Sequence, residues 1–182
     1  TNFFKKNIKE GDVVLDLGAN IGYFTCLFAQ LVGEKGKVFS FEPEPNNFKL
    51  LQKNVEVNGY KNVILEQKAV SNIKSKIKMY ISNSPKDHRI YPTEDNQESI
   101  EIECITLDEF FKDYNKKIDF IKSNIQGADY AAFKGMKSTF EKSKSNIVMA
   151  IEFNPAMIKE FGSGNAEEFL DFLLVEKFKL HD

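Results

Sequence analysis

Two acidic residues, each near the end of an apolar segment, are the strongest candidates for chemistry in this sequence. Asp16 lies in the apolar run 13–17, and a glycine turn from Gly18 to Gly22 follows before a helix begins near Tyr23. A strand, a glycine turn and a helix present free backbone N–H groups and a positive helix end to an anionic group. The pattern Asp-x-Gly-x-x-x-Gly adds a carboxylate beneath a ligand that carries both an ammonium and a carboxylate. The methionyl end of S-adenosylmethionine (SAM) carries both groups.

The position of Glu42 supports the same cofactor. The apolar segment 38–41 ends at Glu42 and Pro43, and Glu42 lies 20 residues after Gly22. In a strand–helix–strand unit this places a carboxylate at the tip of the neighbouring strand, where it can accept both ribose hydroxyls of an adenosine. Taken alone, Asp16 could be a turn residue and Glu42 an acid at a helix start. Their mutual spacing favours the SAM site.

Other nucleotide-binding and catalytic loops fit this chain less well. A G-x-G-x-x-G dinucleotide loop needs glycines at positions 18, 20 and 23, where the chain has Gly18, Asn20 and Tyr23. A nicotinamide- or flavin-dependent oxidoreductase is therefore disfavoured, and no Gly-Lys-Ser/Thr follows to make a Walker loop. The sequence has no G-x-S-x-G elbow and no Cys/His cluster, so we predict neither a serine hydrolase nor a metal site.

Composition limits the partners and the compartment. The 182 residues suit one domain, with 42% hydrophobic and 29% charged residues. The 25 basic and 27 acidic residues nearly balance, so the protein has no overall positive charge that would attract nucleic acid. Cys26 and Cys104 fall in apolar patterns typical of buried thiols in a reducing compartment, which predicts a cytoplasmic protein. No apolar run approaches the ~20 residues of a membrane span.

Strands alternate with amphipathic helices along most of the chain, which predicts an α/β fold. We expect a Rossmann-like, doubly wound, mostly parallel sheet with helices on both faces. The predicted core strands cover residues 13–17, 38–41, 63–70, 118–121 and 147–153. Residues 179–182 are typical of the opening of a further strand, so the C-terminal strands are expected to be incomplete.

The alternation changes between the third and fourth core strands. Apolar residues alternate with polar ones over 77–81 and again over 100–104, which predicts an inserted antiparallel β-hairpin within 72–105. Its long polar loop, 82–99, contains His88 and is a candidate substrate lid.

The chain resembles the FkbM family of class I SAM-dependent methyltransferases over nearly its whole length. The resemblance implies a single methyltransferase domain over 1–182. It also implies methylation of a hydroxyl, or occasionally another heteroatom, on a sugar, glycolipid or secondary metabolite, and thus a small-molecule, glycan- or lipid-linked substrate. It rests on residues 16–22, 41–45 with Leu51, Asn54 and Asn58, 69–71, 106–110 and 119–129, and on Glu152.

The spacing argument and the family resemblance together predict cofactor-binding residues at the ends of four strands. They are Asp16, Gly18, Ala19, Asn20, Gly22, Thr25, Glu42, Pro43, Ala69, Val70, Asn124 and Gln126.

The chain departs from the family pattern at the end of the fourth strand. Asn124 and Gln126 stand where the family usually has carboxylates, and amides can hydrogen-bond but cannot act as bases or bind a divalent cation strongly. A hydroxyl acceptor needs a base, and the remaining candidates are His88, Asp129 and Glu152. Each also has a plainer interpretation, as a solvated loop histidine, an acid at a helix start or a paired structural carboxylate. The amides leave open a non-catalytic or weakly active SAM-binding module.

Overall fold

In the part of the chain that the structure describes, eight strands form two sheets. A computed structural model describes residues 1–81, 98–143 and 147–181. The strands are β1 (Val13–Leu17), β2 (Lys37–Phe41), β3 (Val63–Glu66), β4 (Ala69–Val70), β5 (Ser75–Ile81), β6 (Glu98–Ile105), β7 (Phe120–Ser123) and β8 (Val148–Ile151). The main sheet has the order β3-β2-β1-β7-β8, and every neighbouring pair in it is parallel. The predicted α/β, doubly wound fold is confirmed.

Capping side chains mark the starts of several helices. Thr106 and Asn165 cap two of them, accepting hydrogen bonds from the backbone N–H groups of Glu109 (3.2 Å) and Glu168 (2.9 Å). The helices are α1 (Asn2–Asn7), α2 (Tyr23–Val32), α3 (Pro45–Val57), α4 (Leu107–Phe110), α5 (Asp129–Lys134), α6 (Lys137–Ser143), α7 (Pro155–Phe161) and α8 (Ala166–Val175).

The two faces of the main sheet carry separate hydrophobic clusters. All five residues of β1 are buried, as expected of a central parallel strand covered on both sides. Its odd-numbered residues pack in the cluster that includes Phe133 and Phe169, whereas Val14 packs with Phe28 of α2 and Phe120 of β7. Asp16 shares the face of Val14, because side chains two residues apart lie on one side of a strand. The sheet therefore places Asp16 beneath α2.

The expected third strand, 63–70, is wrong as a single element. β3 pairs with β2 in the main sheet, and β4 pairs in parallel with β6 in the second sheet, whose order is β4-β6-β5. The break falls at Gln67, which is exposed, and at Lys68, which forms an ion pair with Glu66 at 3.0 Å. Solvated polar side chains at this point let the chain leave one sheet for the other.

Two further expectations concern the second sheet and the C-terminus. β5 and β6 pair antiparallel over their whole length, from Ser75 opposite Cys104 to Ile81 opposite Glu98. The connection between them, with His88, lies outside the described residues, so its role as a lid stays a prediction. The expected strand opening at 179–182 is wrong for residues 179–181, which form no strand.

Candidate functional site

A cavity of about 450 Å³ opens at the carboxyl ends of β1, β2 and β7. This is the edge at which open parallel sheets bind ligands, and the volume suits a small molecule. Met79 of β5 also lines the cavity, so the second sheet contributes to its wall. Nine of the predicted cofactor-binding residues line it: Gly18, Ala19, Asn20, Glu42, Pro43, Ala69, Val70, Asn124 and Gln126.

The turn after β1 forms the floor of this cavity. The backbone N–H groups of Gly18 and Ala19 both donate to the carbonyl of Phe41 at 3.0 Å, which ties the turn to the end of β2. Gly18 has φ +73°, and a Cβ built there would lie 2.0 Å from the carbonyl oxygen of Asn124. Only glycine combines this conformation with such a close approach. Glycine at this position therefore allows the backbone carbonyl of Asn124, at the end of β7, to pack directly against the turn.

Glu42 places a buried carboxylate at the end of β2. Its side chain accepts hydrogen bonds from the backbone N–H groups of Asn20 (2.7 Å) and Glu44 (3.0 Å), one on each oxygen. Burial is the main reason that its pKa rises to about 7. A carboxylate has about four acceptor positions, so each oxygen can accept one more hydrogen bond. The residue suits a ligand with two adjacent hydroxyls.

Asp16 lies behind the cavity wall rather than on it. The residue is fully buried, and Thr25 Oγ1 donates to its Oδ2 at 2.7 Å. Lys122 Nζ lies 2.9 Å from its Oδ1 and also donates to the carbonyl of Gly18 at 2.8 Å. Asp16, Gly22 and Thr25 are the three predicted cofactor-binding residues that do not line the cavity. Asp16 therefore neutralises Lys122, which in turn holds the glycine turn.

Lys122 lines the cavity and was not predicted as a site residue. β1 and β7 pair so that Asp16 lies opposite Lys122, although 106 residues separate them. A lysine within a buried strand is a usable signal, because lysine is almost never fully buried without a partner. Its partner, however, follows only from which strands are neighbours.

The amide side chains of Asn124 and Gln126 form a hydrogen-bonded pair just beyond the end of β7. Gln126 Nε2 donates to Asn124 Oδ1 at 3.1 Å, and both residues line the cavity. Gln126 has φ +55°, a left-handed conformation that is unusual for a residue other than glycine.

Two of the three predicted bases, Asp129 and Glu152, do not lie on the cavity wall. Asp129 is buried at the start of α5 and accepts a hydrogen bond from the Ser123 hydroxyl. Burial is the main reason that its pKa rises to about 6, and the Glu152 carboxylate adds to the rise. Glu152 itself is exposed, and neither acid lines the cavity. His88 lies outside the described residues.

The described residues contain neither a metal-binding cluster nor a helix that could span a membrane. Residues 1–81, 98–143 and 147–181 contain no group of three His, Cys, Asp or Glu side chains arranged to hold a metal ion. Within the same ranges, none of the helices has the length and apolar character needed to cross a membrane.

Comparison with known proteins assigns the family. The family model of the methyltransferase FkbM domain matches residues 16–180. The chain belongs to the FkbM methyltransferase family. The FkbM methyltransferase of Methylobacillus flagellatus KT has a TM-score of 0.59 and 17% identity to this FkbM chain, covering 93% of it and 37% of that protein. Fibrillarin of Aeropyrum pernix, solved with bound SAM, has a TM-score of 0.56 and 12% identity, covering 97% of this chain and 61% of that one.

Curated relatives match shorter stretches of this FkbM chain. The protein-L-isoaspartate O-methyltransferase of Methanococcoides burtonii is 41% identical over 56 residues, which are 31% of this chain and 28% of that protein. The enzyme of the same name from Methanococcus maripaludis is 34% identical over 87 residues, 48% of this chain and 38% of that protein. The chain thus spans less than two-fifths of these relatives' length. The solved structures, at such low identity, support the fold alone.

Proposed function

We propose that this FkbM domain binds SAM in the cavity and transfers its methyl group to an oxygen or other heteroatom of an acceptor. The acceptor is a small polar molecule or a sugar- or lipid-linked one, not a nucleic acid. The observation that carries the proposal is Glu42, a buried carboxylate with spare acceptor positions beside the Gly18 turn. Both free thiols suit action in the cytoplasm.

The lining residues fit such a cofactor in chemistry. Glu42 can accept the two ribose hydroxyls, while Phe41, Ala69 and Val70 offer apolar surface beside it. When bound, SAM supplies a methyl group on a sulfonium, which is a good leaving group. The chain's own contribution is to hold the acceptor in line and to exclude water, and positioning alone can lower a barrier by ~7–11 kcal/mol.

A hydroxyl acceptor requires a base for its proton. Asp129 and Glu152 do not line the cavity, which leaves His88 as the proposed base for such an acceptor. A His88→Ala variant should then lose transfer to a hydroxyl while it still binds S-adenosylhomocysteine. Loss of both would place His88 in the folding or binding of the domain instead.

Calorimetric titration with S-adenosylhomocysteine and with NAD tests the cofactor assignment. We expect S-adenosylhomocysteine to bind and NAD not to bind, because the turn lacks the dinucleotide glycines. Glu42→Ala should weaken S-adenosylhomocysteine by at least about tenfold, since it removes two charge-assisted hydrogen bonds worth roughly 1.5–3 kcal/mol each. NAD binding without S-adenosylhomocysteine binding would contradict the assignment.

A SAM-binding module without transferase activity is the second candidate. It is favoured by the neutral amides of Asn124 and Gln126, which cannot act as bases. Incubation with methyl-labelled SAM and a small-molecule extract of cells distinguishes the two. Cofactor binding without label on any acceptor would favour the module, and labelled product would exclude it.

A further inference from the structure

The side chain of Lys122 ends among three oxygen atoms that together suit one ammonium group. Its Nζ lies 2.9 Å from Asp16 Oδ1 and donates to the backbone carbonyls of Gly18 at 2.8 Å and Leu17 at 3.3 Å. An ammonium has three N–H donors and no acceptor, so these oxygens satisfy it, and the carboxylate neutralises its charge. The end of β1 thus forms a complete ammonium site, and the protein's own lysine occupies it.

Both carboxylate oxygens of Asp16 have partners within the protein. Lys122 lies at Oδ1, while Thr25 Oγ1 donates to Oδ2 at 2.7 Å. Asp16 is fully buried and does not line the cavity, whereas Lys122, its neighbour across β1 and β7, does. The lysine therefore separates the carboxylate from a ligand in the cavity. The carboxylate that the glycine-turn pattern offered to the ammonium of SAM is already used.

The rest of the described cavity wall offers no second carboxylate for that ammonium. The acid that lines this part of the wall is Glu42, whose spare acceptor positions the proposed function assigns to the ribose. At the end of β7 the side chains are the amides of Asn124 and Gln126, and the Asn124 carbonyl oxygen already accepts from Gln126 Nε2 at 3.1 Å. The described residues therefore provide no ion pair for the amino group of a bound cofactor.

We propose that Lys122 occupies the place of the cofactor's ammonium, so that this domain binds its cofactor without recognising the α-amino group. This inference rests on the proposed binding of SAM and defines its ligand class: adenosyl thioethers and sulfoniums, with or without that amino group. Lys122 is a positioning residue in this scheme, because it holds the carbonyls of the glycine turn and neutralises Asp16. Selectivity then comes from the ribose contacts of Glu42 and the apolar wall beside it.

Two ligands that differ only in the amino group test the proposal on the wild-type protein. Calorimetric titration compares S-adenosylhomocysteine with its analogue in which hydrogen replaces the α-amino group. We expect S-adenosylhomocysteine to bind no more than about fivefold more tightly than the analogue. Loss of one partner of a buried ion pair would instead weaken binding by about 30-fold or more.

A larger preference for S-adenosylhomocysteine than about fivefold would overturn the proposal. If S-adenosylhomocysteine itself does not bind, the proposed function fails instead, so the two failures are distinguishable.

The variant Lys122→Ala tests whether the lysine is what closes the ammonium site. The truncation opens the site to the cavity and leaves Asp16 without its cation, so the ammonium of the ligand can replace the lysine. We expect the preference for S-adenosylhomocysteine over the analogue to rise by about tenfold or more. This preference is a ratio of two ligands on one protein, so a general loss of stability does not change it. An unchanged ratio would overturn the proposal.

The double variant Lys122→Ala with Asp16→Asn is the matched control. It has the same opened site but no buried carboxylate, so its preference should return to the wild-type value. A preference that stays high in the double variant would show that Asp16 is not the partner of the ammonium, which also contradicts the proposal. If Lys122→Ala does not fold, the wild-type titration still decides.

Discussion

The substitution Glu42→Gln should increase the stability of the protein at alkaline pH and weaken its cofactor binding. Burial raises the pKa of Glu42 from an ordinary value of 4.5 to about 7. Between these values the folded state binds more protons than the unfolded state, so the free energy of unfolding falls as pH rises. The stability loss is small near pH 5 and complete above pH 7.

The size of this effect follows from the pKa. Each tenfold change in acid strength corresponds to ~1.4 kcal/mol, so ionised Glu42 costs about 3 kcal/mol of stability above pH 7. The glutamine side chain of the variant cannot ionise and avoids that cost. Its NH₂ group, however, replaces an oxygen that accepts a backbone N–H, which costs roughly 1–3 kcal/mol at any pH. The hydrogen-bond cost is the same at every pH, so the test is how the difference in free energy of unfolding between variant and wild type changes with pH. From pH 5 to pH 8 this difference should change by about 2.5 kcal/mol, with the variant becoming the more stable relative to wild type.

Cofactor affinity should move in the opposite direction. Hydrogen bonds to an ionised acceptor are roughly twice as strong as those to a neutral one. The affinity of Glu42→Gln for S-adenosylhomocysteine should therefore be lower by about tenfold or more at pH 8. Wild-type affinity should itself rise from pH 6 to pH 8 as Glu42 ionises. Urea unfolding at several pH values and calorimetric titration provide the two measurements.

Asp129→Asn is the matched control, because it also removes a buried carboxylate. Burial raises the pKa of Asp129 from 3.8 to about 6. The free energy of unfolding of this variant relative to wild type should also rise with pH, but between about pH 4 and pH 6. Its S-adenosylhomocysteine affinity should stay within about twofold, since Asp129 does not line the cavity. A stability difference for Glu42→Gln that is independent of pH would refute the reasoning about burial. Unchanged affinity would refute the role of Glu42 in binding.

Two further substitutions test the contacts around the glycine turn. Gly18→Ala should destabilise the fold by roughly 2–5 kcal/mol in urea unfolding, because its Cβ meets a backbone oxygen at 2.0 Å. Gly59→Ala has nearly the same φ, +72° against +73°, with no atom within 4 Å, and should cost only about 1–2 kcal/mol; equal costs would contradict the close approach. Lys122→Met should destabilise by roughly 3–5 kcal/mol, because it leaves Asp16 as an unpaired buried charge. Adding Asp16→Asn should recover most of that loss, and an additive double variant would show that the two side chains do not interact.

Local patterns in the sequence were sufficient to predict the main strands and helices and the side of the cavity that Gly18 and Glu42 form. The glycines at 18 and 22 predict a tight turn because few other residues adopt a left-handed conformation. The distance of 20 residues from Gly22 to Glu42 predicts a neighbouring strand end, because one helix and one strand occupy that length. Both inferences depend on residues close together in the chain, and the structure places Gly18 and Glu42 on the same cavity.

Only the tertiary structure decided the role of Asp16 and the position of the acids. Asp16 meets Lys122 because β1 and β7 are neighbours in the sheet, and no local spacing encodes a pairing across 106 residues. Asp129 looked like a candidate base, but the start of α5 turns it toward Ser123 and away from the cavity. Residues 63–70 looked continuous because β-propensity does not record which sheet a strand joins. The type of each element was thus a local property, whereas the partners of its side chains depended on the order of the strands.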